Sequence, residues 1–162
     1  MEVFIIMKRI LVLLVMLIGF SFAKGQSFNS VDEARAMIIS NIVKYAQWES
    51  VNGDFDILVL NNHELASYLK KIYANKKIHE VPVNIIEDKN TRTDFTGIEV
   101  LISGKKAMVQ DNLLTFNFDN TNAIVNLVLV EDKIKLTIRK PDLVQNKLKM
   151  SSSIMSIAKV IE

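Results

Sequence analysis

The chain of 162 residues has no cysteine and only five glycines, two prolines, two histidines and one tryptophan. Without thiols there is no disulfide, no zinc site built on thiolates and no lipid anchor on an N-terminal cysteine. The fold must therefore rest on its core alone, which a domain of this length can do. The shortage of glycine matters most at Val59-Leu60-Asn61-Asn62-His63, the first strand-to-helix junction. An α/β chain would cradle a phosphate there, but without glycine the backbone cannot approach a pyrophosphate closely. The two histidines, His63 and His79, are separated by a helical pattern, so they do not form a metal-binding pair at helical spacing. A lone histidine such as His63 reads more simply as a surface residue in a helix's first turn. No serine stands in a nucleophile elbow, since Ser103-Gly104 lacks the preceding glycine. The carboxylate pairs Glu87-Asp88 and Glu131-Asp132 fall in turns, where they are solvated rather than tuned by burial for acid–base work. The residue pattern therefore offers no paired catalytic groups, no metal set and no cofactor motif.

A strong charge of either sign is also missing. The formal charge is +2, and it falls to +1 when Lys8, Arg9 and Glu2 are removed with residues 1–23. That balance argues against nucleic acid as a partner. The pairs Lys76-Lys77 and Lys105-Lys106 read as solvated faces.

The N-terminal region holds one long apolar run. Lys8 and Arg9 precede Ile10 to Phe20, and Ser21-Phe22-Ala23 follows. A basic end, a short greasy segment and small residues describe a secretory signal peptide over residues 1–25, cut after Ala23 or after Gly25. The run is shorter than the roughly 20 apolar residues a spanning helix needs. Residues 26–162 then form a single exported domain, with no internal repeat or long linker.

The periodicities give its elements. Ser30-Val31-Asp32-Glu33 is a capping box, opening a helix expected to run to about Trp48. Phe55 to Leu60 is a buried strand, and Asn61-Asn62 can cap a helix whose inner face carries Leu65, Leu69 and Ile72. Val81 to Ile86, Ile98 to Ile102 and Leu114 to Phe118 read as further strands, with a short helix over Lys105 to Asn112 and a turn at 119–122. Strict alternation through Val125, Leu127 and Leu129, then Ile134, Leu136 and Ile138, reads as a hairpin turning at Glu131-Asp132-Lys133. Pro141 opens a short helix, with Asn146 as its left-handed terminator. The serines 151–153 cap a last helix with Ile154, Ile157, Ala158 and Ile161 on one face. Asn126 interrupts an apolar strand and reads as a buried amide bonded to nearby backbone. The fold class is α/β: a single three-layer domain, with a mixed parallel and antiparallel sheet flanked by helices and a C-terminal hairpin and helix.

Three blocks resemble the YfiR-like (YfiR/HmsC) domain family. In the first helix, Asn41, Lys44, Tyr45 and Trp48 stand as in the family's aromatic-and-lysine helix. Phe55-Asp56-Ile57-Leu58-Val59-Leu60 is similar to its first strand. The tail offers Asn126-Leu127, Glu131-Asp132, Leu148-Lys149-Met150-Ser151-Ser152 and Ile157-Ala158-Lys159. Asn61, Asn122-Ala123 and Asn146 stand where the family commonly has glycine. The resemblance implies a non-enzymatic periplasmic regulator in cyclic-di-GMP or kinase signalling. Such a protein binds the periplasmic part of an inner-membrane diguanylate cyclase or sensor kinase and biases its activity. The resemblance further implies an outer-membrane partner and a homodimer.

Lys44, Tyr45 and Trp48 are the candidate partner-binding residues, because amphipathic groups at a helix end can face a partner. Trp48 alone reads more simply as a core anchor. The alternative is a small-molecule-sensing domain with a crevice near Asn61, Asn62 and His63, at the carboxyl end of a strand.

Overall fold

The computed structural model describes residues 28–51, 53–89, 91–102, 110–119 and 123–162. The leader, most of the segment expected as a helix over Lys105 to Asn112, and residues 120–122 of the expected turn lie outside them. The described end of that expected helix, residues 110–112, is a turn.

Helix α1 (Val31–Tyr45) starts at Ser30, whose hydroxyl accepts from the Glu33 N–H at 3.1 Å. Glu33 reaches back one residue further than a capping box requires, accepting from the Asn29 N–H at 2.7 Å. The helix ends at Tyr45, three residues before the expected Trp48. There the chain enters β1 (Ala46–Gln47), which pairs antiparallel with β9 (Lys149–Met150) in a two-stranded ribbon. This pairing is non-local, so local helical periodicity carries no sign of it.

β2 (Phe55–Leu60) lies in the middle of an eight-stranded sheet and is buried on both faces. Ile57 and Val59 face α1 and helix α2 (His63–Tyr73), while Leu58 and Leu60 face the opposite side. Asn62 caps α2 by accepting from the Leu65 N–H at 2.9 Å, and its amide donates to Asp32 of α1 at 2.9 Å. One residue thus starts one helix and ties it to the start of the other.

The chain next forms β3 (Lys77–Ile78) and β4 (Val81–Asp88), which is parallel to β2. It then crosses to β5 (Val100–Ile102) on the other side of β2, followed by β6 (Leu114–Asn117) and β7 (Val125–Val130), all parallel. β7 and β8 (Lys133–Arg139) form the expected hairpin, with Glu131 and Asp132 at positive φ, as a tight two-residue turn needs. The sheet order is β10-β8-β7-β6-β5-β2-β4-β3, and the sheet is mixed as the sequence implies. The described helices cover one face. Among the described residues the other face is closed by Phe95, Ile98 and Leu113, which lie outside the strands.

The C-terminal segment departs from its reading. Helix α3 (Lys140–Gln145) holds Pro141 in its first turn, but Asn146 sits at φ −87° and the left-handed residue is Lys147 at φ 56°. Asn146 instead turns its side chain inward, donating from Nδ2 to the Leu113 carbonyl at 3.0 Å. Helix α4 (Ser152–Ile157) is capped by Ser151 and stops after two turns. Lys159–Ile161 is then β10, an edge strand parallel to β8. Ile154 is buried, but Ile157 is 72% exposed and Ile161 belongs to a strand, so the proposed apolar helix face does not exist. Spacings of three and four residues mimicked a helix, while β-branched Val160 and Ile161 suit the sheet edge.

Candidate functional site

The end of α1 is the part of the molecule where the quoted blocks meet. The β1–β9 ribbon joins it to the stretch between α3 and α4, and the Ser151 N–H donates to the Tyr45 carbonyl at 3.3 Å. Lys44, Tyr45 and Trp48 separate here. Tyr45 is 43% exposed and Lys44 lies outside it, its Nζ 5.1 Å from the ring centroid. That is cation–π range for an exposed pair.

Trp48 turns the other way. It is buried, its ring meeting Phe55 edge-on at 4.9 Å and 89°, with His79 at 5.9 Å. Edge-to-face geometry at this distance is favourable packing, so Trp48 acts mainly as a core anchor. Its indole N–H has no hydrogen-bond partner among the described residues.

A groove of about 410 Å³ lies beside this tryptophan, lined by Gln47, Glu49, Val144, Lys147 and Lys149 among others. Val144 is 71% exposed there while its neighbour Leu143 is buried. Sequence reasoning missed this surface. The available signal was the adjacent Leu143-Val144 on a two-turn helix, since residues about 100° apart on so short a helix do not both point straight at the core.

Asn61, Asn62 and His63 stand at a topological switch point. From β2 the chain goes first to β4 on one side, then to β5 on the other, and such points favour ligand crevices. The polar groups there are largely engaged in the fold. Asn61 is left-handed at φ 52°, a conformation glycine adopts at no cost, and its N–H donates to the Asp88 carbonyl at 2.9 Å. Asn62 is the α2 cap. His63 opens the helix with its side chain 84% exposed and Nδ1 2.9 Å from Glu87 Oε1. That hydrogen bond holds the Glu87 carboxyl below its ordinary value, with Lys70 adding to the effect.

The buried polar groups serve the architecture. Glu99 accepts the Asp56 N–H at 2.8 Å, Thr115 accepts the Ile124 N–H at 3.0 Å, and Asn126 donates to the Ala123 carbonyl at 3.1 Å. Burial raises the Glu99 pKa against the pull of the Asp56 N–H and its own N–H. Asn126 is the buried, backbone-bonded amide its sequence context implies. Among the described residues no three His, Asp or Glu side chains are placed to hold a metal ion. No helix there is long and apolar enough to cross a membrane.

A family model described as YfiR/HmsC-like matches residues 32–159. The chain belongs to that family. The match runs from the first turn of α1 to the start of β10, so it contains the α1 end, the ribbon and the groove beside Trp48. No curated protein matches the sequence. The YfiR/HmsC-like family is one of regulatory domains, and the fold and the three sequence blocks agree with membership.

Proposed function

We propose that this YfiR/HmsC-like protein is exported to the periplasm, where it binds the periplasmic part of an inner-membrane signalling protein. A diguanylate cyclase or a sensor kinase is the proposed target. The protein carries out no chemistry of its own. Family membership over residues 32–159 is the observation that carries this reading. The surface around the β1–β9 ribbon supports it, because Tyr45 and Val144 expose apolar area near it. Val144 beside charged Glu49, Lys147 and Lys149, and Tyr45 beside Lys44, give the mixed character of a regulatory interface.

The mechanism is linkage. A regulator that binds one conformation of its receptor better than the other shifts the receptor's population by that difference in affinity. An outer-membrane protein competing for the regulator would reverse the shift. A twofold dimer is the expected assembly of the regulator itself. The test is crosslinking in intact cells followed by capture of the protein and identification of what is attached. Recovery of a membrane-bound cyclase or kinase supports the reading. Recovery of the dimer alone, at an efficiency that traps that dimer, overturns it.

A further inference from the structure

A second groove, which shares Lys44 with the surface at the end of α1, lies where α1 packs on α2 and on the turn leading into β3. Its volume is about 460 Å³, within the usual range of small-molecule sites. Three lysines line it: Lys44 from α1, Lys76 from the turn and Lys77 from β3. None has an ion-pair partner among the described residues, and no acidic side chain lines the groove. Three lysines bordering one concavity give it a positive character that suits an anion.

The turn that carries two of these lysines is well defined. Asn75 is left-handed at φ 61°, the Lys76 N–H donates to the Tyr73 carbonyl at 2.9 Å, and Lys77 pairs with Pro82. Lys44 comes from the opposite wall, on a helix fixed by its own buried face. The charges are therefore placed by two rigid elements.

Tyr73 closes one wall of the groove and is 7% exposed. Its hydroxyl is buried with no hydrogen-bond partner among the described residues, so the residue offers the groove ring surface rather than its polar end. Met37, Ile72 and Ile78 give the groove its apolar lining.

We propose that this groove binds a small amphiphilic anion. Its phosphate or carboxylate group is held by Lys44, Lys76 and Lys77, and its apolar body lies on Met37, Ile72 and Ile78. The inference rests on the groove itself and stands or falls separately from the regulator reading, since it concerns the isolated protein. It gives the lysine pair Lys76-Lys77, which as sequence reads only as a solvated face, a binding role.

Calorimetric titration of the purified protein tests it, with phenyl phosphate and phenylacetate as the two anionic probes. Benzyl alcohol serves as the uncharged control and inorganic phosphate as the anion without an apolar body. Saturable binding is expected for at least one aromatic anion, with inorganic phosphate weaker and benzyl alcohol weaker still. The variant K44Q/K76Q/K77Q should weaken that binding by about tenfold or more, the scale of losing several charge-assisted contacts. The triple variant should leave the circular dichroism spectrum unchanged, which separates ligand contact from folding. Absence of saturable binding by both anions, or binding that the triple variant leaves intact, overturns the proposal. Equal binding of phenyl phosphate and inorganic phosphate overturns the amphiphilic part.

Discussion

Asn146 donates from Nδ2 to the Leu113 carbonyl at 3.0 Å, across 33 residues of chain, and its own carbonyl accepts the Asn112 N–H at 2.8 Å. The end of α3 is thereby clamped to the turn that feeds β6. Asn146 reads in the sequence as a left-handed helix terminator, but at φ −87° it does not take that conformation. Asn146→Gly should therefore destabilise the protein, by about 1–3 kcal/mol for leaving a buried carbonyl without its donor. Urea unfolding measures this. An unchanged midpoint would contradict the clamp.

The neighbouring position should respond in the opposite way. Lys147 holds the left-handed conformation at φ 56°, which costs a residue with a Cβ about 1 kcal/mol. Its ion pair with Asp111, 2.7 Å long, is exposed on both sides and so contributes little. Lys147→Gly should leave stability unchanged or raise it, as the same unfolding measurement would show.

These two positions show where sequence reading ends. The Ser30 cap, the buried strand Phe55–Leu60, the Asn62 cap and the hairpin were legible, because each depends on residues within one or two turns of chain. The β1–β9 ribbon, the switch from helix to strand at Lys159 and the inward turn of Asn146 depend on partners far away in sequence. At the candidate site Trp48 takes the core-anchor place that is its simpler sequence reading. Tyr45 and Lys44 face outward, whereas Trp48 packs on Phe55 and the exposed Val144 gave only a faint signal.

Tyr73→Phe removes a buried hydroxyl that has no partner among the described residues. Burial also pushes the phenol's pKa up, so the group stays neutral wherever the protein is folded. The substitution should raise stability by about 1 kcal/mol, read as a higher thermal midpoint in ligand-free protein. A lower midpoint would mean that the hydroxyl is satisfied.

Glu99 gives a pH dependence of definite sign. Burial raises its pKa above the ordinary 4.5, so folding favours the protonated form. The resulting contribution is whole below 4.5 and is lost as pH rises through the higher folded-state value. Glu99→Gln keeps an acceptor for the Asp56 N–H and removes the charge. The stability difference should shift in favour of the variant as pH rises across that range, then level off. A difference that does not vary with pH would contradict it.

Trp48 and Tyr45 should separate folding from recognition. Trp48→Ala empties a packed site against Phe55 and His79 and should cost about 3–5 kcal/mol. Tyr45→Ala removes an exposed ring and should change stability by no more than about 0.5 kcal/mol. Thermal melts of both variants measure the contrast.

The central claim is that the exposed surface at the end of α1 meets a membrane signalling protein. Placing a photo-crosslinking side chain at position 45, and separately at Lys133 on the distant hairpin turn, tests this most directly in living cells. The account predicts an adduct with a membrane-bound cyclase or kinase from position 45 and none from position 133. Equal adducts from both positions, or no membrane protein captured from position 45, would contradict it.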